Sequence, residues 1–499
     1  MSLPDSAAVE RWRRDLLSAA ILGTDRRPFP DSPFADTASG PPDDEVLARV
    51  AVAAALVRAG RRPTVADPVT PATAESSPYA PPSAIELLGV LIDAPPIARE
   101  VRIPLLNRWL QTAADRDAVV PPRFLPTLIA LAGTAPELLP SLQRAWGRRG
   151  DWLAEKSGTA ARPSTPDAAD LGRDWARLRT TDAVDALAAL REGDPHGARE
   201  LTAAHWSELP AALKERVLES WRVGLSTADE PFLDALLDER SARVRDAARA
   251  LLRGLPTSAF GTRMAGRLAP LLTVERARVF ASNTRITVLA PTVLDDAATR
   301  DGLAGVATAA DRAASLQTVL TAAPLRAWCE ATGLSVERIV AAVRDDDAVL
   351  GALIRATTDQ RNTEWARALL SVRRDPSLIR TLPDHEREQY LLRLLPTDTD
   401  VGFRELLGLA GAPWSPPIAD AILARVTRPT PRGRSSHVPL LQIHHATRFP
   451  AESVPRIREV LARAELPGAD VEISERLRRV LTTAVTYHSF DRSIQEAFS

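Results

Sequence analysis

Forty-one prolines punctuate this 499-residue chain. Most fall between stretches whose apolar residues recur with helical spacing. Proline has no amide hydrogen and restricts the residue before it, so it belongs at the start of a helix or just past its end. Pro95-Pro96, Pro121-Pro122, Pro136, Pro140, Pro210, Pro256, Pro270, Pro324, Pro383, Pro396 and Pro416-Pro417 fit such positions. A chain broken this often is expected to build many short helices. Residues 5–22 place Trp12, Leu16, Leu17, Ala20 and Ile21 on one helical stripe, with Gly23 as the stop. Ser83 to Glu86 reads as a capping box after two prolines. Ile473, Leu477, Val480, Leu481, Ala484 and Val485 again recur at helical spacing. Sustained period-two alternation between hairpin turns is missing. The fold class read from this pattern is all-α.

At about 100–200 residues per domain, the length suits about three domains or one long repeat array. Segments 28–44, 61–82 and 157–170 are rich in Pro, Ser, Thr and Ala without apolar periodicity, and read as flexible linkers. They suggest an N-terminal helical region over 1–156, helix pairs over 171–265, further helical repeats over 266–427 and a C-terminal helical cap over 428–499. The 63 Lys and Arg nearly cancel the 64 Asp and Glu. That balance argues against bulk attraction to nucleic acid or to a membrane surface. Of the cationic residues only Lys156 and Lys214 are lysine. GC-rich coding accounts for that bias; structural use of the arginine fork is the alternative left open. The start of the chain lacks a secretory apolar region, and the apolar stretch Val50 to Val57 is far short of the about 20 residues a membrane span needs. The expectation is a soluble, cytoplasmic protein.

Motifs for chemistry are scarce. Cys329 is the single cysteine, which excludes an internal disulfide and a Cys-based metal site. In its apolar helical setting it reads as a buried structural thiol. Neither lysine follows a glycine, and no two glycines are two residues apart. Walker A and G-x-G nucleotide loops are therefore absent, as are the G-x-S-x-G elbow and the kinase signatures. The seven histidines include no pair at i, i+4, and the adjacent His444 and His445 diverge on a helix. Asp384-His385-Glu386, Asp398-Thr399-Asp400 and Asp345-Asp346-Asp347 read as helix-start caps and solvated loops. No catalytic, metal-binding or cofactor-binding residue is assigned, and no cofactor is expected.

Two features remain. Residues 230–256 form a helix pair: Leu233, Leu236 and Leu237 in the first helix, then Val244, Ala247, Ala248, Leu251 and Leu252 in the second. The second helix resembles that of a HEAT repeat, with one extra residue in the turn, and Arg199 and Arg245 stand 46 residues apart, within the HEAT period of about 40–47. Trp365 to Leu370 echoes the same helix. The fold expected is thus a HEAT-like α-solenoid. On its polar side Arg245, Arg249 and Arg253 fall at i, i+4, i+8, with Arg240 and Arg243 beside them. They are either a solvated back face paired with Asp238, Glu239 and Asp246, or a face for an acidic partner. The run from Arg144 to Trp152 interleaves Trp146 and Trp152 with arginines, which could stack on a base or mark a domain edge.

Several stretches taken together resemble an uncharacterised bacterial helical family designated only as a domain of unknown function. They are Leu22 to Pro28, Val120 to Pro126, Trp146 to Leu153, Asp194-Pro195 with Ala198 to Leu201, and Leu225 to Leu233 running on through Val244-Arg245. The resemblance implies a place beside MoxR-type AAA+ ATPases, von Willebrand A-domain proteins and SWIM zinc-finger proteins, whose genes accompany that family. It supplies no catalytic residues. The function expected is a non-enzymatic scaffold or adaptor for protein partners, a MoxR-type ATPase with its A-domain protein foremost. The alternatives are a HEAT-like nucleic-acid-binding or DNA-repair protein, and an enzyme whose site is assembled from distant helices.

Overall fold

The computed structural model describes residues 6–22, 31, 48–55, 70–93, 98–157, 168–175, 180–275, 284–397, 402–428, 441–465 and 473–499. These are mainly helical. The expected stop at Gly23, nearly all of the linker 28–44, residues 61–69 and 158–167 of the other two, and Asp398 to Asp400 lie outside the described residues.

The chain divides into two units, residues 1–72 and 73–499. In the first, α1 (Ser6–Leu22) and α2 (48–55) meet through Trp12, Leu16 and Ala53. Leu17, expected on the same stripe, is 61% exposed. It sits about 100° around the helix from Leu16, beyond the face that Trp12 and Leu16 share.

The second unit opens with α3 (Pro82–Asp93), α4 (Arg99–Asp115), α5 (Leu125–Ala132), α6 (Leu139–Ala145) and α7 (Gly147–Ser157). Next come α8 (Ala168–Asp174), α9 (Thr180–Gly193), α10 (Pro195–His205), α11 (Ala211–Ser220), α12 (Glu230–Ala235), α13 (Ala242–Arg253) and α14 (Ala259–Leu268). Two strands follow, β1 (Leu272–Glu275) and β2 (Arg285–Val288), antiparallel with Val274 opposite Ile286. The mainly helical structure agrees with the all-α reading, which did not foresee this two-stranded sheet. The β-branched runs at 273–274 and 286–288 were the signal, too short to register as alternation. Then come α15 (Ala309–Ala322), α16 (Leu325–Thr332), α17 (Val336–Ala342), α18 (Asp347–Asp359), α19 (Thr363–Leu370) and α20 (Pro376–Thr381). The last are α21 (Asp384–Leu394), α22 (Phe403–Leu409), α23 (Pro416–Val426), α24 (Val454–Arg463) and α25 (Glu475–Ala497).

Proline does start helices. Pro126, Pro140, Pro195, Pro231, Pro376, Pro416 and Pro455 all stand in first turns, where a missing N–H costs nothing. Among the described residues Pro104, inside α4, is the exception. One local expectation fails at the start of this unit. Pro81, not Ser83, accepts the first helical bond of α3, from Ile85 N–H at 2.9 Å. The Ser83 hydroxyl instead donates to Ala497 O, 2.8 Å away. In the described part of linker 61–82, which is mostly exposed, Ala80 is buried, its N–H donates to Val119 O at 3.1 Å, and Val119 N–H donates to Pro78 O at 2.8 Å. The boundary between the two units falls within this segment.

The core joins distant segments. α25 packs on α3, α4 and α24. Arg108 pairs with Asp491 at 3.0 Å, and Phe498 meets Trp109 edge-on with ring centroids 5.2 Å apart. The expected C-terminal cap therefore shares a core with residues of the expected N-terminal region. Further along, α9 packs on α11, α11 on α13, α13 on α18 and α18 on α15.

Candidate functional site at the helix ends

The ends of α9, α11, α13, α15 and α18 gather on one edge. Arg191, near the end of α9, reaches Val223 O (2.9 Å) and Gly224 O (3.1 Å), just past α11. Arg253, ending α13, pairs with Asp359, ending α18, at 2.7 Å. Gln360 bonds Ala323 O past α15 and Leu325 N–H, each at 3.0 Å. Helices ending side by side expose unpaired carbonyls and align the negative ends of their dipoles. Arginine donors are the matching chemistry.

Arg191 is fully buried, and its five N–H groups are all used. Besides Val223 and Gly224 it donates to Pro195 O at 2.9 Å and, through both terminal nitrogens, to Asp229 at 3.1 and 2.6 Å. The Trp221 ring lies 4.7 Å from its guanidinium carbon. Asp229 also accepts from Arg199 at 3.1 Å and from Ser226 N–H at 2.9 Å. Burial pushes the Asp229 carboxyl up, but the Arg191, Ser226 and Arg199 bonds outweigh it and hold the group below the usual carboxylate range.

A second buried aspartate repeats the device. Asp301 accepts from Arg263 at 2.6 and 2.8 Å and from Arg267 at 2.7 Å. Arg267 also holds Asp295 through two bonds of 2.6 and 2.7 Å. Arg300 spans Asp234 (3.0 Å) and Asp238 (2.8 Å). These forks fasten the irregular segment 295–303 across α12 and α14, and Arg249 adds bonds to Arg300 O at 3.0 and 3.3 Å.

The five arginines expected as a face therefore divide. Arg245 donates to Glu239 O (2.6 Å) and Arg240 O (2.9 Å), folding the turn before α13. Arg249 holds Arg300 O and Asp246 (2.7 Å), and Arg253 holds Asp359. Arg240 and Arg243 are exposed, and neither meets a carboxylate among the described residues. Asp238 pairs with Arg300, and the Glu239 side chain with Lys214 at 2.5 Å rather than with the arginine line. The paired aspartates Asp229 and Asp301 were missed. Ser226 and Asp229 form a capping box that marks a helix start, but nothing local marks either aspartate as a buried ion-pair centre, because the arginine partners lie 30 to 38 residues away.

The other candidates settle into packing. Trp146 is 4% exposed and donates to Asp151 at 2.9 Å, so its ring is not offered to a base. His444 and His445 do not diverge: their ring centroids are 4.1 Å apart on a 3-10 turn. His445 is buried beside Trp414 and accepts from Gln442 N–H at 2.8 Å. Burial pushes the Cys329 thiol up, aided by Glu364, Glu330 and Glu337. Asp346 caps α18 as expected, accepting from Ala348 and Val349 N–H at 3.1 and 3.0 Å. Among the described residues no group of three or more His, Cys, Asp and Glu could hold a metal ion, and no helix is long and apolar enough to cross a membrane.

Saturated charge clamps on stacked helices define a mainly helical protein whose buried ionic groups hold the fold. The chain belongs to the family of unknown function DUF5691, whose model matches residues 15–494. No curated protein matches it significantly.

Proposed function

We propose that the chain is a non-enzymatic scaffold of HEAT-like, solenoidal design that holds protein partners on its helix faces. The side-by-side run of α9, α11 and α13 supports the repeat reading. The saturation of Arg191 and Asp229 supports the non-enzymatic one, because a group with every bond made is not free for acid–base work.

The observation that carries the proposal is the pair Arg240, on the turn that Arg245 holds, and Arg243, in the first turn of α13, both exposed and without a carboxylate partner among the described residues. A rigid turn presents its side chains at small entropic cost to a partner. The partners proposed are a MoxR-type AAA+ ATPase and a von Willebrand A-domain protein, on the strength of the family's gene neighbourhoods. The test is co-elution of the purified chain with each protein from the same genome. Complex formation is expected, weakened about tenfold or more, about 1.4 kcal/mol, by Arg240→Glu with Arg243→Glu. No complex with the unaltered chain overturns the proposal.

A further inference from the structure

α18 closes with a pair of main-chain bonds: Asn362 N–H to Thr357 O at 3.1 Å and Arg361 N–H to Thr358 O at 3.3 Å. This closure requires a left-handed residue just past the helix, a position suited to glycine because a Cβ there crowds the next carbonyl. After α16 the chain puts Gly333 in the left-handed region, with φ 66°. After α18 it puts Arg361, with φ 49°. A long cationic side chain is thus held against the preference of its own backbone, a departure that points to use of the side chain.

Arg361 stands where four helix ends meet. Its Nη2 donates to Arg222 O at 3.3 Å, beyond α11. Asp359 is taken by Arg253, and Arg326 reaches Pro256 O at 3.1 Å. Four guanidinium groups therefore share this patch with Asp359 and with Glu330, which is 3.8 Å from Arg326. Arg222, Arg326 and Arg361 are exposed, and Arg222 meets no carboxylate among the described residues. Beside Arg222, Val223 is 47% exposed.

We infer that this edge docks an acidic, partly apolar segment of a partner protein. Guanidinium forks match carboxylates through paired bonds, and Val223, next to Arg222, offers an apolar contact. A nucleic-acid backbone would need a continuous cationic track, which the Arg253–Asp359 pair interrupts. The patch lies at the end of α13 away from Arg240 and Arg243, and the inference does not rest on the partners proposed above.

The test is fluorescence anisotropy at low salt with the full chain, using a labelled peptide of glutamate and leucine, a lysine–leucine peptide as control, and labelled duplex DNA. The acidic peptide is expected to bind, and added salt to weaken it. Arg361→Gly is expected to keep or raise the thermal midpoint while lowering affinity about tenfold. Arg222→Ser is expected to weaken binding with the helical circular dichroism unchanged. The inference is overturned if the unaltered chain ignores the acidic peptide, or if DNA binds in preference to it. It is also overturned if both variants bind as well as the unaltered chain, or if Arg361→Gly lowers the midpoint, which would assign Arg361 to holding the helix ends.

Discussion

Arg191 and Asp229 face each other without solvent exposure, Nη2 2.6 Å from Oδ2 and Nη1 3.1 Å from Oδ1. The same guanidinium closes three carbonyls, so one side chain ties α9 to the starts of α10 and α12 and to the end of α11. Lysine, with three donors on one nitrogen, cannot copy this. Arg245, Arg249, Arg326, Arg425 and Arg448 also donate to main-chain carbonyls. The preference for arginine over lysine therefore has a structural use here, alongside base composition.

Breaking this pair by Arg191→Met is expected to cost about 3–5 kcal/mol, because it strands a buried carboxylate with only Arg199 and Ser226 as partners. Arg191→Met with Asp229→Leu should cost less than the sum of the two single changes. Denaturant unfolding of the three variants measures both numbers. A strictly additive double variant would show that the pair is not coupled.

Asp301→Asn removes the charge that Arg263 and Arg267 share while keeping the shape. Amide exchange over 295–303 should accelerate, and exchange in α4 and α25 should not change. Uniform acceleration across the chain would instead indicate global destabilisation.

His445 sets a pH dependence. Burial, with His444 and Arg448 nearby, holds its imidazole down at about 4 against an ordinary value of 6.5. Between those values the unfolded chain takes up a proton that the native chain does not. Stability contributed by this group is full above pH 6.5 and is lost as the pH falls toward 4. His445→Gln, which cannot titrate, should flatten that part of the stability curve, as urea midpoints across the range would show.

A Cβ built on Gly150 would lie 2.2 Å from Trp146 Cγ and 2.4 Å from Trp146 Cβ. These are the inner atoms of a buried side chain, which cannot swing aside. Gly150→Ala is expected to destabilise the fold by about 1–3 kcal/mol despite alanine's better helix propensity. Unfolding followed by tryptophan fluorescence tests it, and a stabilised variant would mean that the ring relocates freely.

The local level was legible. Pro195, Pro231 and Pro376 stand in the first turns where their fixed φ predicts them. Trp12, Trp109, Trp221 and Trp365 are all buried as their stripes require. Leu477, Val480, Leu481 and Ala484 line the buried side of α25, whose helix runs on to Ala497. The β-hairpin escaped because four-residue strands carry too little pattern to compete with helical periodicity around them.

The candidate sites were half legible. The spacing of Arg245, Arg249 and Arg253 placed them on one helix, but their partners were out of reach of any sequence argument. Helix starts, stripes and caps depend on residues within about four positions of each other, and a single sequence contains those relations in full. Which arginine is spent and which is left free depends on where the chain returns. Ser83 meets Ala497 across 414 positions, and Arg253 meets Asp359 across 106. The sequence by itself determined most of the helices and most of the residues they bury. Only tertiary packing decided that Arg191 and Arg253 lock helix ends and Arg249 holds segment 295–303, while Arg240, Arg243 and Arg222 meet no carboxylate among the described residues, because a buried charge must find a partner wherever the fold brings one.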